Sequence, residues 1–104
     1  MAADIPEPAV TATAYEVTCL PGDREAHLWT ITVEYRHRGR WAVARLGMCL
    51  GGNGRWDYDS VPEGDGEGWL DRHRFGLDEA LRLARQAAPR ITVNGITVAA
   101  ALTR

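Results

Sequence analysis

The chain has 104 residues, of which 45% are hydrophobic and 25% charged, and its formal net charge is −2. This describes one domain of ordinary globular composition, and argues against a protein that coats nucleic acid, which leans on excess positive charge. No apolar run is long enough to span a bilayer and no signal-peptide pattern opens the chain, so a cytoplasmic location with no membrane partner is the default expectation.

Residues 1–12 carry Pro6, Pro8 and small residues without periodicity. They read as a flexible N-terminal tail before a single domain over 13–104. A first strand is predicted over about 13–20, with Tyr15, Val17 and Cys19 on its inner face. Pro21-Gly22-Asp23 ends it with turn chemistry. A second strand covers 27–37. There Trp29, Ile31, Val33 and Tyr35 alternate with Thr30, Thr32, Glu34 and Arg36, the period of two that marks one buried face.

Arg38-Gly39 reads as a two-residue turn. In that register Tyr35 faces Ala42, Val33 faces Ala44, Ile31 faces Leu46 and Trp29 faces Met48. A slip of one residue would bring Arg45 into the core and waste Leu46. The cost of burying an uncompensated charge selects the first register. Gly51-Gly52-Asn53-Gly54 is the strongest turn signal. It leads to a fourth strand over 55–59, with Trp56 aligned to Met48 and Tyr58 to Leu46.

Ser60 to Gly68 is a polar loop in which Glu63, Asp65 and Glu67 alternate with glycines. Trp69, Leu70 and Phe75 form a short helical turn or a packed loop over one end of the sheet. Leu77–Ala88 is an amphipathic helix, with Leu77, Ala80, Leu81, Ala84, Ala87 and Ala88 on one stripe. Asp78 and Glu79 in its first turn suit the macrodipole, and Pro89 stops it. At the end of the chain Asn94-Gly95 is a hairpin signature pairing Val93 with Ile96. A rival reading makes Thr97 the N-cap of a terminal helix through the following alanines. The fold class is therefore α+β: a four-stranded antiparallel meander, one amphipathic helix packed on one face, and a short C-terminal strand, hairpin or helical end.

Few residue constellations carry chemistry. The two cysteines, Cys19 and Cys49, lack metal-ligand or redox spacing. Asp57-x-Asp59 with the acidic loop lacks the calcium-loop pattern, because Pro62 stands where the sixth-position glycine belongs. Asp71 and His73 are the closest acid–histidine pair, and no nucleophile motif or phosphate loop accompanies them. No enzyme, cofactor or metal is expected. The surfaces left over are the open sheet face and the tip of the second hairpin, where Arg36, His37, Arg38 and Arg40 make a basic cluster. The candidate binding residues are Arg36, Arg38, Arg40, Trp41, Arg45 and Arg55. Trp41 among charges would offer a large rigid contact; it would otherwise be covered by the arm of Arg36, the tail or a second copy.

The segment WLDRHRFGLDEALRLARQAAPRITVNG at 69–95, continuing back to YEVTCLP at 15–21, resembles small uncharacterised proteins of actinobacteria and their phages or integrative elements. The resemblance implies a setting, not an activity. All twelve basic residues are arginine, which fits a GC-rich genome. A weaker likeness is to HicB-type antitoxins, in which strands precede a helix that begins like Leu77-Asp78-Glu79-Ala80-Leu81. The long acidic loop departs from that pattern, so the likeness bears on element order alone. The expected function is a non-catalytic protein-binding or regulatory module of a mobile element, with a protein partner. The alternative is nucleic-acid binding through an arginine-rich sheet face and hairpin tip.

Overall fold

A computed structural model describes residues 4–104; positions 1–3 of the expected tail lie outside the described residues. Residues 4–13 carry no regular structure and are exposed throughout. Five strands follow in an antiparallel meander: β1 (Ala14–Thr18), β2 (Thr30–His37), β3 (Arg40–Arg45), β4 (Met48–Leu50) and β5 (Trp56–Tyr58). Two helices come next, α1 (Gly66–His73) and α2 (Leu77–Ala87). A two-stranded hairpin, β6 (Thr92–Val93) and β7 (Ile96–Thr97), then runs into α3 (Val98–Leu102).

The expected α+β architecture holds, with five strands in the sheet where four were expected and three helices where one was. The extra strand comes from a turn that composition hides. Leu46 and Gly47 both have positive φ, 50° and 79°, the requirement of a two-residue type I′ turn. They split the long third run into β3 and β4. Leu46 is therefore 64% exposed at a turn tip and is not in the core. The second expected strand is also shorter than expected. Ala26–Trp29 forms a 3-10 turn, closed by the Thr30 hydroxyl donating to Ala26 O at 2.6 Å.

The register of β2 against β3 corrects the expected side-chain parity. Arg38 and Gly39 do form the expected two-residue turn, with φ of 57° and 73°. However, His37 pairs with Arg40 and Tyr35 with Trp41, so Arg36 is an extra residue on β2. This β-bulge shifts every later pair by one. Val33 now faces Val43, and Thr32 faces Ala44. Of the residues expected inward on the second strand, Trp29, Ile31 and Val33 are in the core but Tyr35 is 42% exposed, and on β3 it is Trp41 and Val43 that enter the core. Magnitudes explain why the bulge wins. Burying a Trp side chain removes roughly 150–250 Å² from water, worth about 4–6 kcal/mol at ~25 cal/mol per Å². The disrupted ladder costs on the order of one hydrogen bond, ~1 kcal/mol.

The core lies between this sheet face and α2. Ala80, Leu83, Ala84 and Ala88 pack with Ile31, Val33 and Val43. Leu83, absent from the expected stripe, joins it. At the C-terminal end both rival readings coexist. Val93 pairs with Ile96 across Asn94-Gly95, and the Thr97 side chain accepts from Ala100 N–H at 3.1 Å as the N-cap of α3. Among the described residues no helix is long and apolar enough to cross a membrane.

Candidate functional site

The six residues singled out from the sequence fall in four separate places. Arg36, Arg38 and Arg40 stay together at the β2–β3 tip, where they line a hollow of about 200 Å³ with Leu70 and Arg74. Most of that positive charge is already matched. Arg36 donates to Glu34 at 2.9 Å and to Asp59 at 2.6 Å; Arg40 pairs with Asp71 at 3.2 Å. Arg38 is in no ion pair among the described residues. Arg55 is exposed in the β4–β5 turn, where its backbone N–H donates to the Asn53 side chain at 3.0 Å.

Trp41 does not stand on the open face. It is 8% exposed, in the core. Tyr15 and Tyr35 roof it, at centroid distances of 5.7 and 5.5 Å, the second edge-to-face. Its backbone exchanges two hydrogen bonds with Phe75, at 2.7 and 3.0 Å. That bridge occupies the part of the β3 edge that short β4 leaves uncovered. The exposed rings are those of Tyr15 and Tyr35, each more than a third exposed, and of Tyr58, which is 80% exposed and not in the core as expected, because β5 pairs Tyr58 with Met48 and Trp56 with Leu50.

Arg45 also differs from expectation. It lies on the same face as the core, at the end of β3, and lines a cavity of about 400 Å³ with Leu83, Ala87 and Arg90. Its Nη2 donates to Leu28 O at 2.8 Å. Burial pulls its pKa below the ordinary arginine value, the direction set by removing water from a charged group.

A further cluster joins residues that local patterns keep apart. On the opposite sheet face Cys49 pairs with Ala44 and Asp57. The end of α1 reaches this face. His73, its side chain 6% exposed, places Nε2 2.7 Å from Asp57 Oδ2 and Nδ1 2.8 Å from Trp69 O. Both partners offer acceptor oxygens, so which ring nitrogen donates is set by the tautomer. The imidazole stacks on Trp69 at 4.2 Å, 16° from parallel. Close approach here explains Gly51, since a Cβ would stand 3.3 Å from His73 Nε2 and 2.9 Å from Asn53 Oδ1. Arg74, equally buried, donates to Asp59 at 3.0 Å and to His73 O at 2.9 Å. Its guanidinium lies over Trp69 at 5.1 Å.

Cys49 is wholly buried beside this cluster, whereas Cys19, expected in the core, is exposed because β1 ends at Thr18. Burial, reinforced by Asp59, pushes the Cys49 thiol up, which holds it in the un-ionised form that is a poor nucleophile. Among the described residues no three His, Cys, Asp or Glu side chains converge to hold a metal ion, and the acidic loop residue Asp65 instead pairs with Arg72 at 3.1 Å.

No protein-family model, curated protein or solved structure matches the chain.

Among the described residues the five-stranded sheet ends on two edge strands, β1 and the shorter β5. β1 pairs only with β2. Tyr35 N–H donates to Thr13 O at 2.8 Å, so Thr13 turns its polar groups toward β2. Alternation then turns those of Tyr15 and Val17 the same way and leaves the N–H and C=O of Ala14, Glu16 and Thr18 facing outward. No proline, bulge or lysine protects this edge, the devices by which strand edges are usually blunted.

Proposed function

We propose that this chain is a non-catalytic protein-binding module that takes up an extended segment of its partner along the open edge of β1. The observation that carries the reading is the row of outward N–H and C=O groups on β1 beside the exposed rings of Tyr15 and Tyr35. Strand addition uses such an edge for affinity and adjacent side chains for specificity, and tyrosine is a favoured interface anchor. The groups of chemical interest elsewhere are engaged internally: both nitrogens of His73 have partners and the Cys49 thiol is enclosed. The proposal includes the setting that the resemblance implies, a regulatory protein in the cytoplasm of an actinobacterium, carried on a mobile element.

Glu16→Pro removes one outward N–H while sparing the ladder to β2. Immobilised wild type and Glu16→Gln should retain the same partner, identified by mass spectrometry, and Glu16→Pro should lose it with an unchanged circular dichroism spectrum. Equal capture by the folded proline variant would refute the edge as the binding site. Nucleic-acid binding is the second reading, supported by the hollow at the β2–β3 tip. It predicts retention on heparin that collapses with salt. It is the weaker reading because carboxylates hold three of the four arginines around that hollow.

A further inference from the structure

We propose that the cavity beside Arg45 binds a small carboxylate with a single-ring or branched apolar body. The cavity opens between the C-terminal end of α2 and the ends of β3, β4 and β5, away from the chemistry of the β1 edge. Its volume is about 400 Å³. That falls in the range of small-molecule sites, ~300–1,000 Å³. Leu50, Trp56, Leu83 and Ile91 supply apolar walls, and Arg45 and Arg90 supply the charge. Among the described residues no acidic side chain lines it.

The charge on Arg45 is the deciding feature. The chain carries fourteen acidic residues against twelve basic ones, and buried Arg74 has its carboxylate in Asp59. Arg45 has none. It takes part in no ion pair among the described residues. One backbone carbonyl is its hydrogen-bond partner, and among the described residues its Nε is one of two buried side-chain nitrogens left without a partner. Burial of a guanidinium with a single neutral acceptor is unfavourable until an anion arrives. The C-terminal end of α2 contributes about half a negative charge nearby, which two guanidinium groups exceed. A carboxylate matches the guanidinium fork. A bare phosphate would lose hydration against leucine and tryptophan walls, so the anion must carry an apolar body to use the site.

Titration of the ¹⁵N-labelled full chain with 4-phenylbutyrate tests this. The expected result is saturable shifts confined to the Trp56 indole N–H and the backbone amides of Leu83, Ala87 and Ile91. The matching amide, 4-phenylbutyramide, should bind about tenfold more weakly or worse, the value of one charge-assisted contact. Arg45→Gln should lose the preference for acid over amide. Arg90→Gln, at an exposed position, should weaken binding of the acid several-fold and provides the test should Arg45→Gln not fold. Three results would overturn the proposal: no shifts at about 10 mM ligand, equal affinity for acid and amide, or the same shifts with inorganic phosphate alone.

Discussion

Val43→Ala and Leu46→Asn distinguish the bulged register from the unbulged one, because the two registers reverse the order of their effects. Val43 is completely buried against α2. Removing two carbons costs ~0.8 kcal/mol each, and the residual cavity adds ~1 kcal/mol, so the expected loss is about 2–3 kcal/mol. Leu46 is 64% exposed, with φ at 50°. Its partial burial is worth under ~1 kcal/mol. Left-handed backbone costs a branched side chain ~1–2 kcal/mol, and asparagine tolerates it better. Leu46→Asn should therefore leave stability within ~0.5 kcal/mol of wild type or raise it by up to ~1 kcal/mol. Urea unfolding followed by tryptophan fluorescence, with the slope m checked for constancy, reads both. Had Leu46 faced the core, its replacement by a polar residue would cost ~3 kcal/mol or more and Val43→Ala almost nothing. That outcome would refute the bulge at Arg36 and with it the placement of Trp41 and Arg45.

Two further predictions concern the cluster on the opposite face. Asp59→Ala leaves Arg74, its side chain 6% exposed, and Arg36 without their shared carboxylate; the expected loss is about 3 kcal/mol in urea unfolding, and a loss below ~1 kcal/mol would mean that the pair is solvated. For Cys49 the folded thiol titrates above its ordinary value because of burial and Asp59. The unfolded thiol therefore ionises first, and the stability this group contributes is full below the unfolded value and declines as pH rises toward the folded one. Wild type should lose stability relative to Cys49→Ala across that alkaline interval, and native protein should consume iodoacetamide at Cys19 while Cys49 reacts after unfolding. Rapid native labelling of both thiols, or parallel alkaline profiles, would contradict the enclosed position of Cys49.

Much of the fold is legible in short windows of sequence. The parity of β2, the Arg38-Gly39 turn, the stripe of α2, the Asn94-Gly95 hairpin and the Thr97 cap follow from local periods and turn chemistry. Two features do not. A bulge adds a residue without any composition of its own, and at Arg36 it inverts which side chains of β3 turn inward. A leucine at positive φ is uncommon, so Leu46 reads as a core residue when it is a turn residue. The Asp57–His73 and Asp59–Arg74 contacts were visible only as separate fragments. Asp57-x-Asp59 has the two-residue spacing of one strand, and in the sequence His73 stands nearest Asp71. Their meeting depends on how α1 lies against the sheet, which no local period encodes.

The placement of Arg45 follows from the bulge nine residues earlier. Once Trp41 and Val43 turn inward, alternation carries the next odd position of β3 to the same face, and that position is an arginine. The penalty for burying it is real, but it is met at the strand's last residue, where the face opens toward the end of α2 and the guanidinium can reach Leu28 O. Ending β3 there with Leu46-Gly47 keeps the cation at the rim, with a partly apolar hollow behind it. The large gain from burying tryptophan and valine thus outweighs the local objection to Arg45. What it leaves behind is a half-buried positive charge facing a cavity, without a carboxylate of its own.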